Sequence, residues 1–266
     1  MEPAGTPVVF VHGLWLHYTS WDNWVDLFRS TGYEPLAPPW PGEPATVAES
    51  RTDPAPMAGH GVGEVADHYA GIAKALATRP VVVGHSFGGL IAQILLDRGL
   101  AAAAVAIDAA PIKGVLPLPF SSLKVASIAL RNPANRTRTV ALTPDQFRYG
   151  FTNTRTAGES AELYERYTMP SPARPLFQAA FANVNPNAAT KVDTRNSARG
   201  PLLLTSGGQD HTVASAIPRA VYRLYRHANA VTELKDFPNR DHSLVLNGDW
   251  REVADAVLEW LARNTA

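Results

Sequence analysis

The stretch Val81-Val82-Val83-Gly84-His85-Ser86-Phe87-Gly88-Gly89 decides how this chain is read. Three β-branched apolar residues in a row suit a parallel strand buried on both faces, where no alternation with polar residues is needed. Leu90, Ile91, Ile94 and Leu95 follow at helical spacing. Between strand and helix stands Gly-x-Ser-x-Gly. The pattern alone is weak, because at this chain's glycine and serine frequencies it arises by chance in roughly one sequence in fifteen of this length. Its flanks give it weight. A serine raised on a tight strand-to-helix turn needs small neighbours, since the turn leaves no room for side chains and strains the backbone.

Working outward, Val8-Val9-Phe10-Val11 reads as a first strand ended by His12-Gly13, and Tyr33 to Leu36 as a second. Trp21, Trp24, Val25, Leu27 and Phe28 between them fall on one helical face. Pro38 to Gly63 reads as a long loop, and Val65, Tyr69, Ile72 and Leu76 as a helix. Further strands are expected at Ala103 to Ile107, Pro201 to Thr205 and Val231 to Leu234. Helices are expected at Ile217 to Tyr225 and from Trp250 to Leu261. Strands alternating with helices predict the α/β class, with a mostly parallel sheet flanked by helices. The alternation fails from Ile112 to Arg199, where helical patches near 143–147, 159–167 and 176–182 are separated by proline-containing breaks. We therefore expect a core made of residues 1–111 and 200–266, with 112–199 inserted as a helical cap.

The 266 residues carry 24 Lys and Arg against 24 Asp and Glu, with 45% hydrophobic and 18% charged content. That is an ordinary globular composition. A formal net charge of zero, with no basic block, gives no electrostatic reason to expect nucleic acid or an anionic membrane as partner. No run of about 18 apolar residues is available to span a bilayer. The absence of cysteine removes disulfides, thiolate metal sites and a cysteine nucleophile together. Met1 to Pro7 shows no basic segment followed by an apolar one, so the expectation is a cytoplasmic protein. Oligomeric state is not readable from composition.

Serine becomes a nucleophile only when a base takes its proton, and the base needs an acid to fix its tautomer. The strand, serine turn and helix at 81–95 resemble the nucleophile elbow of the α/β-hydrolase fold, which implies the order serine, acid, histidine along the chain. Asp210 follows the strand at 201–205 in a glycine-rich loop, and His242 lies in the loop before the last helix. Ser86, Asp210 and His242 are thus the candidate catalytic residues. Asp108, which also ends a buried strand, is an alternative acid. Asp241 is too close to His242 in sequence to reach the right ring nitrogen. His85 reads as support for the turn, and His211 as an ordinary loop residue. His17, His60, His68 and His227 lack a strand-end context. The developing oxyanion needs donors aimed at it. The backbone N–H of Phe87 and that of Leu14 are the candidates, with Trp15 as the neighbouring possibility.

His12-Gly13-Leu14-Trp15, Gly84-His85-Ser86-Phe87-Gly88-Gly89, Asp210 and His242 together resemble the α/β-hydrolase superfamily over about 7–111 and 200–266. The resemblance implies catalysis without metal or organic cofactor, and a pocket between core and cap. Serine at position 86, rather than aspartate, disfavours dehalogenase and epoxide hydrolase chemistry. Trp15, Leu16, Ile112 and Phe120 are the candidate substrate-binding residues, with Tyr18, Leu116 and Leu118 nearby. The expected partner is an apolar-leaning small-molecule ester, thioester or lactone. A carbon–carbon bond hydrolase or cofactor-free oxygenase on the same residues, and a ligand sensor with little turnover, stand as alternatives.

Overall fold

The computed structural model describes residues 5–246 and 248–265. Met1 to Ala4, part of the segment in which no leader was read, lie outside them, as do Asn247 and Ala266. Six strands form one sheet, and its order follows from chain connectivity. β1 (Pro7–Val11), β2 (Glu34–Leu36), β3 (Val81–His85) and β4 (Ala103–Ile107) come first along the chain. A separate two-stranded antiparallel ribbon follows, β5 (Thr139–Val140) against β6 (Ser171–Pro172). β7 (Leu202–Gly207) and β8 (Thr232–Phe237) complete the main sheet. Its order is β2-β1-β3-β4-β7-β8, and every pairing is parallel. The α/β architecture expected from the alternating pattern is the one observed.

The four inner strands are buried along their whole length, which is why their sequences are unbroken apolar runs. β2 and β8 are the edges and carry half-exposed and exposed residues. Around the sheet lie α1 (Asp22–Ser30), α2 (Val47–Thr52), α3 (Val62–Ala75) and α4 (Phe87–Asp97). Between β4 and β7 the chain forms α5 (Phe120–Leu130), α6 (Pro144–Gly150), α7 (Ala157–Tyr167) and α8 (Arg174–Ala180). α9 (Ala216–Tyr225) and α10 (Trp250–Asn264) follow, the latter burying the stripe Val253, Val257, Trp260 and Leu261. Among the described residues no helix is long and apolar enough to cross a membrane.

Two sequence expectations need correction. The stretch from Pro38 to Gly63, read as a loop, holds α2 and a 3-10 turn at Ala55–Met57. α2 starts on a reciprocal cap: Thr46 Oγ1 accepts from the Glu49 N–H at 3.1 Å, and a Glu49 carboxylate oxygen accepts from the Thr46 N–H at 3.1 Å. The apolar run containing α5 was likewise not recognised as a helix. It buries only Val125 and Ala129, so its hydrophobic residues do not mark one face.

Parallel register brings the strand ends together. Val11 pairs with Gly84, His85 with Ile107, and Gly207 with Phe237. The residues just past those ends, 12–15, 86, 108, 208–210 and 238–242, therefore meet along one edge of the sheet. The closest approach is at Gly88, where a Cβ would fall 1.9 Å from the Val11 carbonyl oxygen. Gly88→Ala is accordingly expected to push α4 away from β1 and to cost about 3 kcal/mol or more, read from the denaturant midpoint.

Candidate functional site

Ser86 sits between the end of β3 and the first turn of α4 with φ 56 and ψ −120, a conformation that L-residues rarely adopt. Neighbouring backbone over-determines it. The Ser86 N–H donates to the Ile107 carbonyl at 2.9 Å, and its own carbonyl accepts from the N–H groups of Gly89 and Ala110 at 3.0 and 2.9 Å. The other two non-glycine residues with positive φ among those described are Trp15 at 66 and Asp108 at 41. All three lie at this sheet edge, and such conformations cost on the order of 1–3 kcal/mol each.

The loop after β1 closes on the serine from the other side. A Cβ at Gly13 would stand 2.7 Å from Ser86 Cβ and 3.3 Å from its Oγ, so only glycine lets this backbone lie against the hydroxyl. The two donors proposed from sequence differ in availability. Trp15 N–H donates to Ser171 Oγ at 2.6 Å and is thereby committed. The N–H groups of Leu14 and Phe87 have no acceptor among the described residues. Both residues border the cavity into which Ser86 opens.

His242 and Asp210 meet as the chain order suggested. His242 Nδ1 lies 2.5 Å from Asp210 Oδ2, and both side chains are buried. Asp210 Oδ1 accepts two further bonds, from the N–H groups of Thr212 and Val213, each at 2.7 Å. Three donors thus fix its carboxyl in place. With Nδ1–H donated to Asp210, the neutral ring keeps its lone pair on Nε2. That atom is buried and has no hydrogen-bond partner among the described residues. Phe151 meets the ring edge-on at 4.8 Å and His85 packs on it at 4.5 Å. Burial, reinforced by the neighbouring His242, holds His85 well below the ordinary histidine range, so it stays uncharged.

Asp108 lies beside this pair. Ligand atoms of Asp108, Asp210 and His242 all fall within 4.8 Å of one another. Thr205 Oγ1 donates to Asp108 Oδ1 at 2.8 Å, and the Gly207 N–H donates at 2.9–3.1 Å. His242 Nδ1 is thus engaged by Asp210, not by Asp108. Burial and then the Asp210 charge push the Asp108 carboxyl well above the usual carboxylate range. The three groups have the spacing of a cation site, yet a cation there would have to displace the His242–Asp210 hydrogen bond.

Asp241 has a different task. Its carboxylate accepts from Thr154 N–H and Oγ1 at 3.0 and 2.5 Å, and from Ser243 N–H and Oγ at 3.1 and 2.6 Å. It fixes the loop that carries His242. Sequence reasoning also passed over Glu43, which is buried inside the segment read as a loop. Its carboxylate lies 2.8 Å from His12 Nε2 and accepts from the Trp40 and Tyr18 N–H groups at 2.7 and 3.0 Å. Burial opposes its ionisation, but His12 and these donors outweigh burial and hold its carboxyl below the usual range.

Of the predicted substrate contacts, Trp15 and Ile112 line a cavity of about 410 Å³ that reaches Ser86. This volume lies within the usual span of small-molecule sites, roughly 300–1,000 Å³. Leu16 and Phe120 do not line it. Leu16 is buried in the core and bridges Thr168 through its backbone. Phe120 opens α5 and is 80% exposed. The remaining walls come mainly from 110–130 and 176–183, with Thr212, Val213 and Ile217.

Residues 8–256 match the family model described as the alpha/beta hydrolase family. A non-heme chloroperoxidase from Streptomyces lividans is 30% identical over 259 residues, spanning 91% of this chain and 86% of that protein. An esterase from Thermogutta terrifontis superposes with a TM-score of 0.69 at 18% identity, covering 98% of this chain and 90% of that one. A monoacylglycerol lipase from Paleococcus ferrophilus superposes at 0.67 and 21%, covering 97% and 95%. At these identities the structural likenesses speak to the fold.

Two measurements follow from the buried carboxyls. Folded Asp108 holds its proton more tightly than the unfolded chain does, so this group's contribution to stability falls as pH rises above about 4. Asp108→Asn, with no proton to release, is expected to melt higher than wild type at pH 7–8, the gap closing toward pH 4. A lower melting temperature at every pH would show that an ionised Asp108 is required. Glu43→Ala strands the His12, Trp40 and Tyr18 donors and is expected to cost about 3 kcal/mol in urea denaturation.

Proposed function

Because this chain belongs to the alpha/beta hydrolase family, we propose that it cleaves a carboxylic ester of an apolar-leaning small molecule through an acyl-enzyme. Ser86 Oγ attacks the ester carbonyl while His242 Nε2 takes its proton. Asp210 holds the imidazole through Nδ1 and stabilises the imidazolium that forms. The N–H groups of Leu14 and Phe87 stabilise the tetrahedral oxyanion. His242 returns the proton to the leaving alcohol, and water then releases the acid. Residues 112–199 act as a cap over the core formed by 1–111 and 200–266, and the acyl or alcohol part occupies the cavity between them.

The observation that carries this reading is the meeting at one sheet edge of a strained Ser86, a Gly13 backbone against its Oγ, and a His242 whose Nε2 is unpartnered. A base awaiting a proton has that arrangement. The largely apolar cavity lining supports an apolar substrate. A second reading draws on the chloroperoxidase name of the 30% identical relative. Under it, chloride and peroxide added together would yield chlorinated product.

Wild type and Ser86→Ala, each given 4-nitrophenyl butyrate and a fluorophosphonate probe, test the ester reading. Labelling and turnover are expected in wild type. Both should disappear in the variant, with kcat falling on the order of a million-fold. Wild type that neither labels nor hydrolyses would overturn it. Chlorination without ester turnover would favour the second reading.

A further inference from the structure

The cavity mouth is surrounded by hydrophobic residues that point into solvent. Nine large hydrophobic residues are exposed among those described, and six belong to two short segments. Leu116, Leu118, Phe120 and Leu123 are 76%, 73%, 80% and 45% exposed, and Phe181 and Val184 are 60% and 81% exposed. Hydrogen bonds hold the two segments side by side. Asn183 accepts from the Gly114 N–H at 2.7 Å and donates to the Val115 carbonyl at 2.8 Å. Lys113 Nζ donates to the Asn185 carbonyl at 2.6 Å. The residues therefore form one patch, of a kind that solvated surfaces seldom carry without a partner.

Continuity with the cavity identifies that partner. Leu116, Leu118 and Leu123 stand in solvent and also line the cavity that reaches Ser86. A protein docked there would seal the cavity that joins this apolar surface to the serine. A layer of amphiphiles would instead supply the chain that enters. Charge agrees. No Asp or Glu occurs between Asp108 and Asp145, whereas Lys113, Lys124, Arg131, Arg136 and Arg138 do. None occurs between Glu165 and Asp193 either, where Arg166, Arg174 and Lys191 lie. Arg174 is neutralised by Glu64 at 2.7 Å. The framing segments thus carry cations and no carboxylate of their own, although Asp145 borders the same surface hollow as Lys124 and Arg131. This local bias is invisible in a net charge of zero, which is why composition gave no reason to expect a membrane.

We propose that the collar formed by Leu116, Leu118, Phe120, Leu123, Phe181 and Val184 docks on a lipid–water interface, from which a long acyl chain passes into the cavity toward Ser86. The contact is peripheral. The identity of the entering molecule as an ester rests on the proposed function above; the docking does not. Long-chain esters presented as an aggregate are then the preferred substrates, because the collar's exposed apolar surface is covered only at an interface.

The test uses the double variant Phe181→Ser/Val184→Ser, since neither side chain lines the cavity. Wild type is expected to float with phosphatidylglycerol vesicles, and to hydrolyse 4-nitrophenyl palmitate faster once the ester passes its solubility limit. The variant should lose vesicle partition by ~10-fold or more, the worth of one large side chain left unburied. It should lose the rate increase with it. Turnover of soluble 4-nitrophenyl butyrate should be unchanged, which also shows that the variant folds. Wild type that fails to float, or a variant that floats equally well, overturns the proposal. So does a wild-type dimer that the variant converts to monomer, which would assign the collar to a second copy. Flotation with no ester turnover by wild type would leave the docking surface standing and remove the ester reading.

Discussion

Everything at the sheet edge depends on one close approach, between the end of β1 and the turn that opens α4. Gly88 would carry a Cβ into the Val11 carbonyl, and Gly13 would carry one into the Ser86 side chain. With side chains absent at both points, two backbone segments can enclose one hydroxyl. The N–H groups of Leu14 and Phe87 are drawn to the same place by that contact. The cost is a set of backbone conformations with positive φ at Trp15, Ser86 and Asp108. Hydrogen bonds from the neighbouring strand ends hold them there, as the Ser86–Ile107 and Ala110–Ser86 pairs illustrate.

A second constraint acts on charge. Two carboxyls and an imidazole share a space of less than 5 Å, buried from water. Such a cluster cannot be fully ionised. Donor numbers divide the roles: Asp210 collects two backbone N–H groups and the imidazole, whereas Asp108 is left to a hydroxyl and one N–H. Asp108 is thus the member whose carboxyl is pushed up, and Asp210 the one facing His242. The sequence left both aspartates open as the acid, because each follows a buried strand and only side-chain direction separates them.

What the sequence made legible is what depends on local pattern. Unbroken apolar runs located the inner strands, and the strand ends singled out Asp210 and His242, which the fold brings into contact. The short helix α2 was harder, since it buries no periodic stripe, although Thr46 and Glu49 carried a capping signal. The cavity lining was only half legible. Trp15 and Ile112 line it, but Leu16 turns into the core and Phe120 turns out to solvent. One residue's rotation along the chain decides such cases, and no spacing rule records it. Glu43 was missed for a related reason, because its partners His12, Trp40 and Tyr18 converge only after the segments fold together.

The double engagement of Trp15 has a consequence for how such an enzyme can be rebuilt. Its N–H and its indole Nε1–H reach Ser171 and the Val140 carbonyl, on the two strands of the β5–β6 ribbon, and its carbonyl accepts from Met169. The β5–β6 ribbon therefore anchors Trp15, the residue next to Leu14. A module exchanged at positions 112 and 199 to change specificity would also remove those anchors. Exchanging residues 112–199 is then a joint problem of scaffold and selectivity. A transplanted insertion must bring its own acceptors for Trp15, or the host must be redesigned to do without them.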